Sequence, residues 1–316
     1  MNITLTQLKY ALAVEKTRNF RAAARVCHVT QPTLSMQIQK LEDQLGVLIF
    51  DRSSHPIGIT PMGIDVLNQI RIVINHTESI AEIIDAAKNT LQGDLRLGII
   101  PTLAPYLLPL FLSSFSSRYP RVNLFVEEIK TSAMIESLGS GTLDIGLLIT
   151  PLHLPTIREI PLFLEAFYVY TRVNSPFATL QTINVDALGH DTLLLLAEGH
   201  CMREQVTQIC KAHQTQLDQN LQKVHLESGS IETLCHLVVG GFGYTVVPQL
   251  ALPWITHPEG RVIPFSEPLP TREVSLVVHQ SFVREAMLKA IQEIIIERLP
   301  REVLSIAQKT VRIPIQ

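Results

Sequence analysis

Four cysteines in 316 residues are too few, and too irregularly spaced, to staple a small secreted fold, so the chain suits a reducing compartment. Its first residues, Met1-Asn2-Ile3-Thr4-Leu5, lack the basic segment and apolar run of a secretory leader. No apolar stretch approaches the length that crosses a bilayer, which speaks against a membrane partner. Long low-complexity tracts and short repeats are missing as well. These absences point to a globular, cytoplasmic protein. A 46% hydrophobic fraction against 17% charged residues can fill the cores of two or three domains over 316 residues. The net charge of −3 excludes little by itself, because it is unevenly placed. Residues 1–60 carry seven Lys and Arg against four Asp and Glu, about +3, leaving about −6 for the rest. A mildly basic end on an acidic body points weakly to nucleic acid.

That basic end reads as helices. Leu5, Leu8, Ala11, Leu12 and Val14 recur at helical spacing, and a second helix runs from Phe20 to Cys27. After a break at His28-Val29, Thr30 offers an N-cap oxygen with Pro32 in the first turn. Leu34, Ile38, Leu41 and Leu45 follow at steps of four, three and four, until Gly46 ends the helix. Two helices joined by so short a turn make a helix-turn-helix. The early residues of its second helix, Thr30, Gln31, Pro32, Thr33, Ser35 and Gln37, then face the major groove. A hairpin-like segment from Phe50 to Thr60, with Arg52, Ser53, Ser54 and His55, forms a wing able to meet the DNA backbone. The plainer alternative is a three-helix bundle whose polar face meets only water. Thr60-Pro61 starts another helix, in which Val66, Ile70, Val73, Thr77, Ile80, Ile84, Ala87 and Leu91 alternate at four and three residues. This is a coiled-coil seam, and it predicts a dimer.

From Gln92 onward strands and helices alternate through to a long helix at Phe282–Leu299, which predicts α/β layers with mainly parallel sheets. Strands are expected at 95–100, 122–126, 143–149, 167–171, 192–196, 224–226, 244–247 and 274–278. The helix expected over Thr102–Tyr119 is interrupted by Pro105 and Pro109.

Within this body one stretch carries reactive chemistry: Gly199-His200-Cys201-Met202-Arg203-Glu204-Gln205, followed by Cys210. A thiol beside a potential imidazolium and a guanidinium is held partly as thiolate, the form that attacks peroxides and disulfides. The intervening residues contain no Gly or Pro and predict a short helix. At ~1.5 Å rise per residue the two Cα atoms would sit roughly 10–14 Å apart. A disulfide needs them within about 7 Å, so the two sulfurs could join only if the helix melts or swings. Spacing alone leaves other readings open. The two could be unrelated packing thiols, or Cys201, Cys210, His200 and His213 could form a zinc site, though paired ligand spacing is lacking. Cys27 and Cys235 lie on apolar helix faces and read as packing, and Gly240-Gly241-Phe242-Gly243 is a helix stop far from a dinucleotide fingerprint.

The segments Phe20-Arg21-Ala22-Ala23-Ala24, Val29-Thr30-Gln31-Pro32-Thr33-Leu34-Ser35, Ile38-Gln39-Lys40-Leu41-Glu42 and Leu45-Gly46-Val47-Leu48-Ile49-Phe50-Asp51-Arg52, in that order, resemble the LysR-type transcriptional regulators. The resemblance implies a winged helix-turn-helix over 1–60, a dimerising linker helix over 61–91 and an effector domain over 92–300, with a tail at 301–316. The effector domain would be of the periplasmic-binding-protein type, with one subdomain at 92–164 and 271–300 and the other at 165–270. Gly199-His200-Cys201-Met202-Arg203 with Cys210 is similar to the peroxide-sensing members of that family. So are Ile100-Pro101-Thr102, Pro105-Tyr106-Leu107-Leu108-Pro109, Leu162-Phe163, Ser230-Ile231-Glu232-Thr233-Leu234 and Val246-Val247-Pro248.

By that resemblance Cys201 is the peroxidatic thiol and Cys210 the resolving thiol, joined reversibly as a disulfide. Thr102, Thr131, His200, Arg203 and Arg272 hold peroxide or tune the thiolate, while Thr30 to Gln37 and Arg52 meet DNA. It implies an activator of antioxidant genes rather than an enzyme, using no cofactor or metal. Its partners would be promoter DNA, RNA polymerase, hydrogen peroxide and a glutaredoxin- or thioredoxin-type reductant, and its dimers would pair into a homotetramer. The rivals are a regulator of the same fold sensing a small metabolite, and a thiol peroxidase carrying a DNA-binding head. A plain solute-binding protein is opposed by the helix-turn-helix.

Overall fold

The computed structural model describes residues 2–87, 91–190, 192–210, 228–305 and 310–313. They group into two compact units, one built on Met1–Thr90 and the other on the body.

In the head, α1 (Leu5–Thr17) opens with a capping box, in which the Thr4 side chain takes the Gln7 N–H and the Gln7 side chain takes the Thr4 N–H. Helix α2 (Phe20–Val26) is capped by Asn19, and α3 (Gln31–Leu45) by Thr30, with Gly46 at φ 70° closing it. Ala11, Val14, Ala23, Leu34, Ile38 and Leu41 interlock as the core. The wing is a two-residue ladder, β1 (Phe50–Asp51) antiparallel to β2 (Gly58–Ile59). Helix α4 runs Pro61–Ala87, where the Thr60 hydroxyl accepts the Gly63 N–H at 2.9 Å. Its apolar residues divide. Leu67, Ile70 and Ile74 are buried in the head's own core, while Val73 and Ile80 stay exposed at 44% and 64%. Only part of the expected seam is therefore open to another helix. The side chains of Ile84 and Ala87 lie outside the description.

The body begins with parallel pairings of β3 (Gly93–Ile99) with β4 (Val122–Glu128) and β5 (Ile145–Thr150), connected by α5 (Ala104–Arg118) and α6 (Thr131–Gly139). Two long strands organise the remainder, β6 (Ile157–Arg172) and β9 (Leu269–His279). Strand β6 pairs with β9 over Ile157–Ala166, then with β7 (Thr245–Pro248) and β8 (Gly260–Pro264) over Phe167–Arg172. The order is β4-β3-β5-β9-β6-β7. Because β9 returns against both β5 and β6, these pairings are antiparallel. The sheet is mixed and not mainly parallel as expected, since two single strands run side by side in opposite directions where βαβ crossovers were anticipated.

Some local expectations change. Neither proline interrupts α5: Pro105 falls in its first turn, and burial of Leu107, Phe111 and Phe115 keeps the helix continuous past Pro109. Residues 192–196 make only an isolated bridge, Leu193 to Tyr244, in place of a strand. The first half of β6 and all of β8 were unanticipated, and the expected strand at 224–226 lies outside the described residues. Helices α7 (Cys201–Ile209), α8 (Ile231–Val239), α9 (Glu285–Arg298) and α10 (Arg301–Leu304) follow in chain order, and residues Thr310–Arg312 form β10, parallel to β9. Part of the presumed tail is thus built into the sheet. No described helix is long and apolar enough to cross a membrane.

Candidate functional site

Helix α7 (Cys201–Ile209) starts at the first cysteine, has His200 as N-cap, and ends at Cys210. Its apolar face, with Met202, Val206 and Ile209 buried, holds it against the body. Both sulfurs are free, and nine residues of helical rise hold their Cα atoms about 13 Å apart. Cys27 and Cys235 are also free; Cys27 packs against the head core, and burial pushes the Cys235 thiol up to about 12.

Cys201 lines a small cleft with Ile100, Pro101, Thr102, Lys130, Thr131, Gly199 and His200. The cleft is small, about 10 Å³, room for a single water-sized molecule. Metabolite sites span about 300–1,000 Å³, so this one suits a molecule of a few atoms. Thr131 is brought in by the start of α6, and its hydroxyl hydrogen-bonds to the Cys201 sulfur. Thr102 is tied to Arg272, whose Nη1 donates to Thr102 Oγ1 and Nη2 to the Thr102 carbonyl, both at 3.2 Å. Arg272 is wholly buried on β9, lies over the Phe167 ring at 5.8 Å, and donates from Nε to Glu165 Oε2 at 2.8 Å. Glu165 is wholly buried too, and its other oxygen accepts the Leu250 N–H at 2.8 Å.

The electrostatics correct the expected activation. Burial pushes the Cys201 thiol above its ordinary value, opposed first by the Arg272 charge and then by the Met202 N–H and the Thr131 hydroxyl. His200 is not an imidazolium partner, because burial and the Lys130 charge lower its pKa. Arg203 turns away and donates to the Leu196 carbonyl at 2.7 Å. The guanidinium that acts on Cys201 belongs to Arg272, seventy-one positions further on. The remaining thiol, Cys210, is pushed up to about 11 by burial, with Tyr244 hydrogen-bonding to it. Residues Thr102, Thr131, His200, Cys201 and Arg272 are therefore assembled, whereas Arg203 and Cys210 lie apart from the cleft. His213, one of the alternative zinc ligands, falls outside the described residues.

A raised thiol pKa has a measurable consequence. The attacking thiolate is the minor form at neutral pH, so the rate of Cys201 oxidation should climb about tenfold per pH unit from 6 to 8. Stopped-flow mixing with peroxide across that range checks it; a flat profile would show a thiol already ionised.

Two residues, one lining the cleft and one behind Arg272, escaped the sequence reading. Lys130 immediately precedes Thr131, and its Nζ donates to the Glu198 carbonyl at 3.2 Å. Glu165 becomes visible only once register is known, since it sits directly across the ladder from Arg272.

On the head, Thr30, Gln31, Pro32 and Thr33 are exposed at the start of α3, and Ser35 and Gln37 are partly so. Arg52 differs from these. Its guanidinium is held by Glu42 Oε2 at 2.8 Å and stacks over Phe20 at 5.3 Å, which makes it first a strut of the wing.

Comparison with known proteins agrees with both units. Residues 5–64 match the bacterial regulatory helix-turn-helix protein of the LysR family, and residues 88–300 match the LysR substrate binding domain. The chain is 34% identical over 276 residues to the DNA-binding transcriptional dual regulator OxyR of Escherichia coli, covering 87% of this chain and 89% of that one. A full-length OxyR from Pseudomonas aeruginosa carrying a cysteine-to-aspartate change superposes with a TM-score of 0.79 at 34% identity, covering 98% of each chain. A cysteine-to-serine OxyR of Corynebacterium glutamicum with H2O2 bound gives a TM-score of 0.64 at 31% identity, over 97% of this chain and 95% of that one. The chain belongs to the LysR family, among its OxyR members.

Proposed function

We propose that this protein is a peroxide-sensing transcriptional activator, a regulator and not an enzyme, that reads hydrogen peroxide at Cys201 and closes a Cys201–Cys210 disulfide. The observation carrying the reading is a buried free thiol that lines a cleft of a few atoms' volume beside Thr102, Thr131 and Arg272, with a second free thiol at the far end of one helix. The Cys201 thiolate attacks one peroxide oxygen, and the O–O bond breaks. The sulfur becomes a sulfenic acid, and the other oxygen leaves with a proton as water. The Cys210 thiolate then attacks the Cys201 sulfur, forms the S–S bond and expels the sulfenic oxygen as a second water. Arg272 and the two threonine hydroxyls stabilise charge on the departing oxygen, an effect strongest where water is excluded. Because the resting thiol is not acidified, their work falls on the transition state, and a less acidic thiol is the better nucleophile once ionised.

Disulfide closure unwinds α7, and that change is the signal. The OxyR relatives are hydrogen peroxide-inducible genes activators, which supports carrying the output to promoter DNA through Thr30–Gln37 of α3. Exposed Val73 and Ile80 on α4 support a homodimer, with pairing of dimers into a tetramer. RNA polymerase as the recruited partner, a glutaredoxin- or thioredoxin-type reductant for reset, and a cytoplasmic setting complete the reading.

Cys201→Ser tests it. Peroxide should no longer induce a target promoter, while the reduced variant still binds that promoter with unchanged affinity. A variant that still answers peroxide would move the sensing elsewhere, and one that answers a metabolite would favour the family's other mode.

A further inference from the structure

We propose that the C-terminal strand β10 is a strap on the sensor helix, and that Gln205 is the positioning residue through which it governs disulfide closure. The proposal rests on the reading of Cys201 and Cys210 given above. Gln205 lies on α7 between the two cysteines and is wholly buried. Its Nε2 donates to the Ile313 carbonyl at 2.7 Å, and its Oε1 finds no partner among the described residues. A buried glutamine in the middle of a nine-residue helix is costly unless its bonds are made, and the partner it has is the strap.

The strap is firmly seated on β9. Thr310, Val311 and Arg312 pair with Leu269, Pro270 and Thr271, and the Ile313 N–H donates to the Thr271 carbonyl at 2.8 Å. The Thr271 hydroxyl donates to the Val311 carbonyl at 3.2 Å, and Arg312 meets Glu273 at 2.7 Å. These anchors flank Arg272, so one strand backs the cleft's cation and holds the helix that bears both sulfurs.

For Cys210 to reach Cys201, their Cα atoms must close from about 13 Å to within about 7 Å, which α7 cannot do intact. Unwinding breaks the Gln205–Ile313 bond. Attack on peroxide needs no such motion, since Cys201 already faces the cleft. The strap therefore slows the second step and leaves the first alone, setting how long the sulfenic acid lives before the disulfide forms.

Gln205→Leu and a chain ending at Ser305 test this in the full-length background. Quenched-flow mass spectrometry, with a sulfenic-acid trap, separates sulfenic acid formation from disulfide closure. In Gln205→Leu, loss of one buried hydrogen bond should speed closure roughly 2- to 13-fold, with sulfenic acid formation unchanged within about twofold, and the shortened chain should close at least as fast. In the unaltered protein, amide exchange at 310–313 should rise on oxidation. A closure rate unchanged in Gln205→Leu, or both steps changing together in that variant, would overturn the proposal, as would protection of 310–313 retained in the disulfide form. Failure of the underlying reading looks different: the unaltered protein would then form no Cys201–Cys210 disulfide at all.

Discussion

Arg272→Met is expected to slow the oxidation of Cys201 by peroxide about 10²–10³-fold, the loss seen when one preorganised donor at a developing anion is removed. The expectation follows from position. Arg272 is completely buried, supplies the largest opposing influence on the Cys201 thiol, and fixes Thr102 through two hydrogen bonds. The same change strands Glu165 as an unpaired buried carboxylate, a loss of about 3–5 kcal/mol when one partner of such a pair is removed. Rate and stability are separable by adding Glu165→Gln, which keeps an acceptor for the Leu250 N–H without the charge. The double variant should regain most of its melting temperature and none of its rate. If its rate recovers with stability, Arg272 is a structural ion-pair partner and the chemistry lies with the threonines alone.

How much of this was legible in the chain divides along a physical line. Local signals held where one segment determines the outcome: Thr30, Pro32 and Gly46 bound α3, Thr60-Pro61 starts α4, and Cys201 and Cys210 sit at the two ends of a short helix. Signals that depend on register misled. His200 and Arg203 flank Cys201 in sequence, yet burial and Lys130 discharge the first and the Leu196 carbonyl holds the second. The cation that matters arrives on β9 and is oriented by Glu165 on β6, two positions whose adjacency no periodicity reveals. Parallel pairing was overestimated for the same reason, since alternation of element types says nothing about which strand returns beside which. Strand β10, only three residues long, offered no pattern to find.

Glu42→Ala is expected to destabilise the head by about 2–6 kcal/mol, because two buried N–H groups lose their acceptor at roughly 1–3 kcal/mol each. Glu42 is 2% exposed, and its Oε1 accepts the Ile49 N–H at 2.8 Å and the Phe50 N–H at 3.1 Å, while Oε2 takes Arg52. Those bonds tie the C-terminal part of α3 to the first strand of the wing, so one carboxylate sets where the wing stands relative to the exposed start of the same helix. A winged head of this size has only a few kcal/mol in hand, so promoter binding should fall with folding. Glu42→Gln separates the two contributions: the amide oxygen still accepts a backbone N–H, and what is lost is the charge facing the half-exposed Arg52, a smaller penalty. Thermal melting alongside promoter-binding titrations checks both. An alanine variant that melts like the parent would show that the wing is held by its packing at Phe20 and Phe50 instead, whose rings meet edge to face at 6.1 Å.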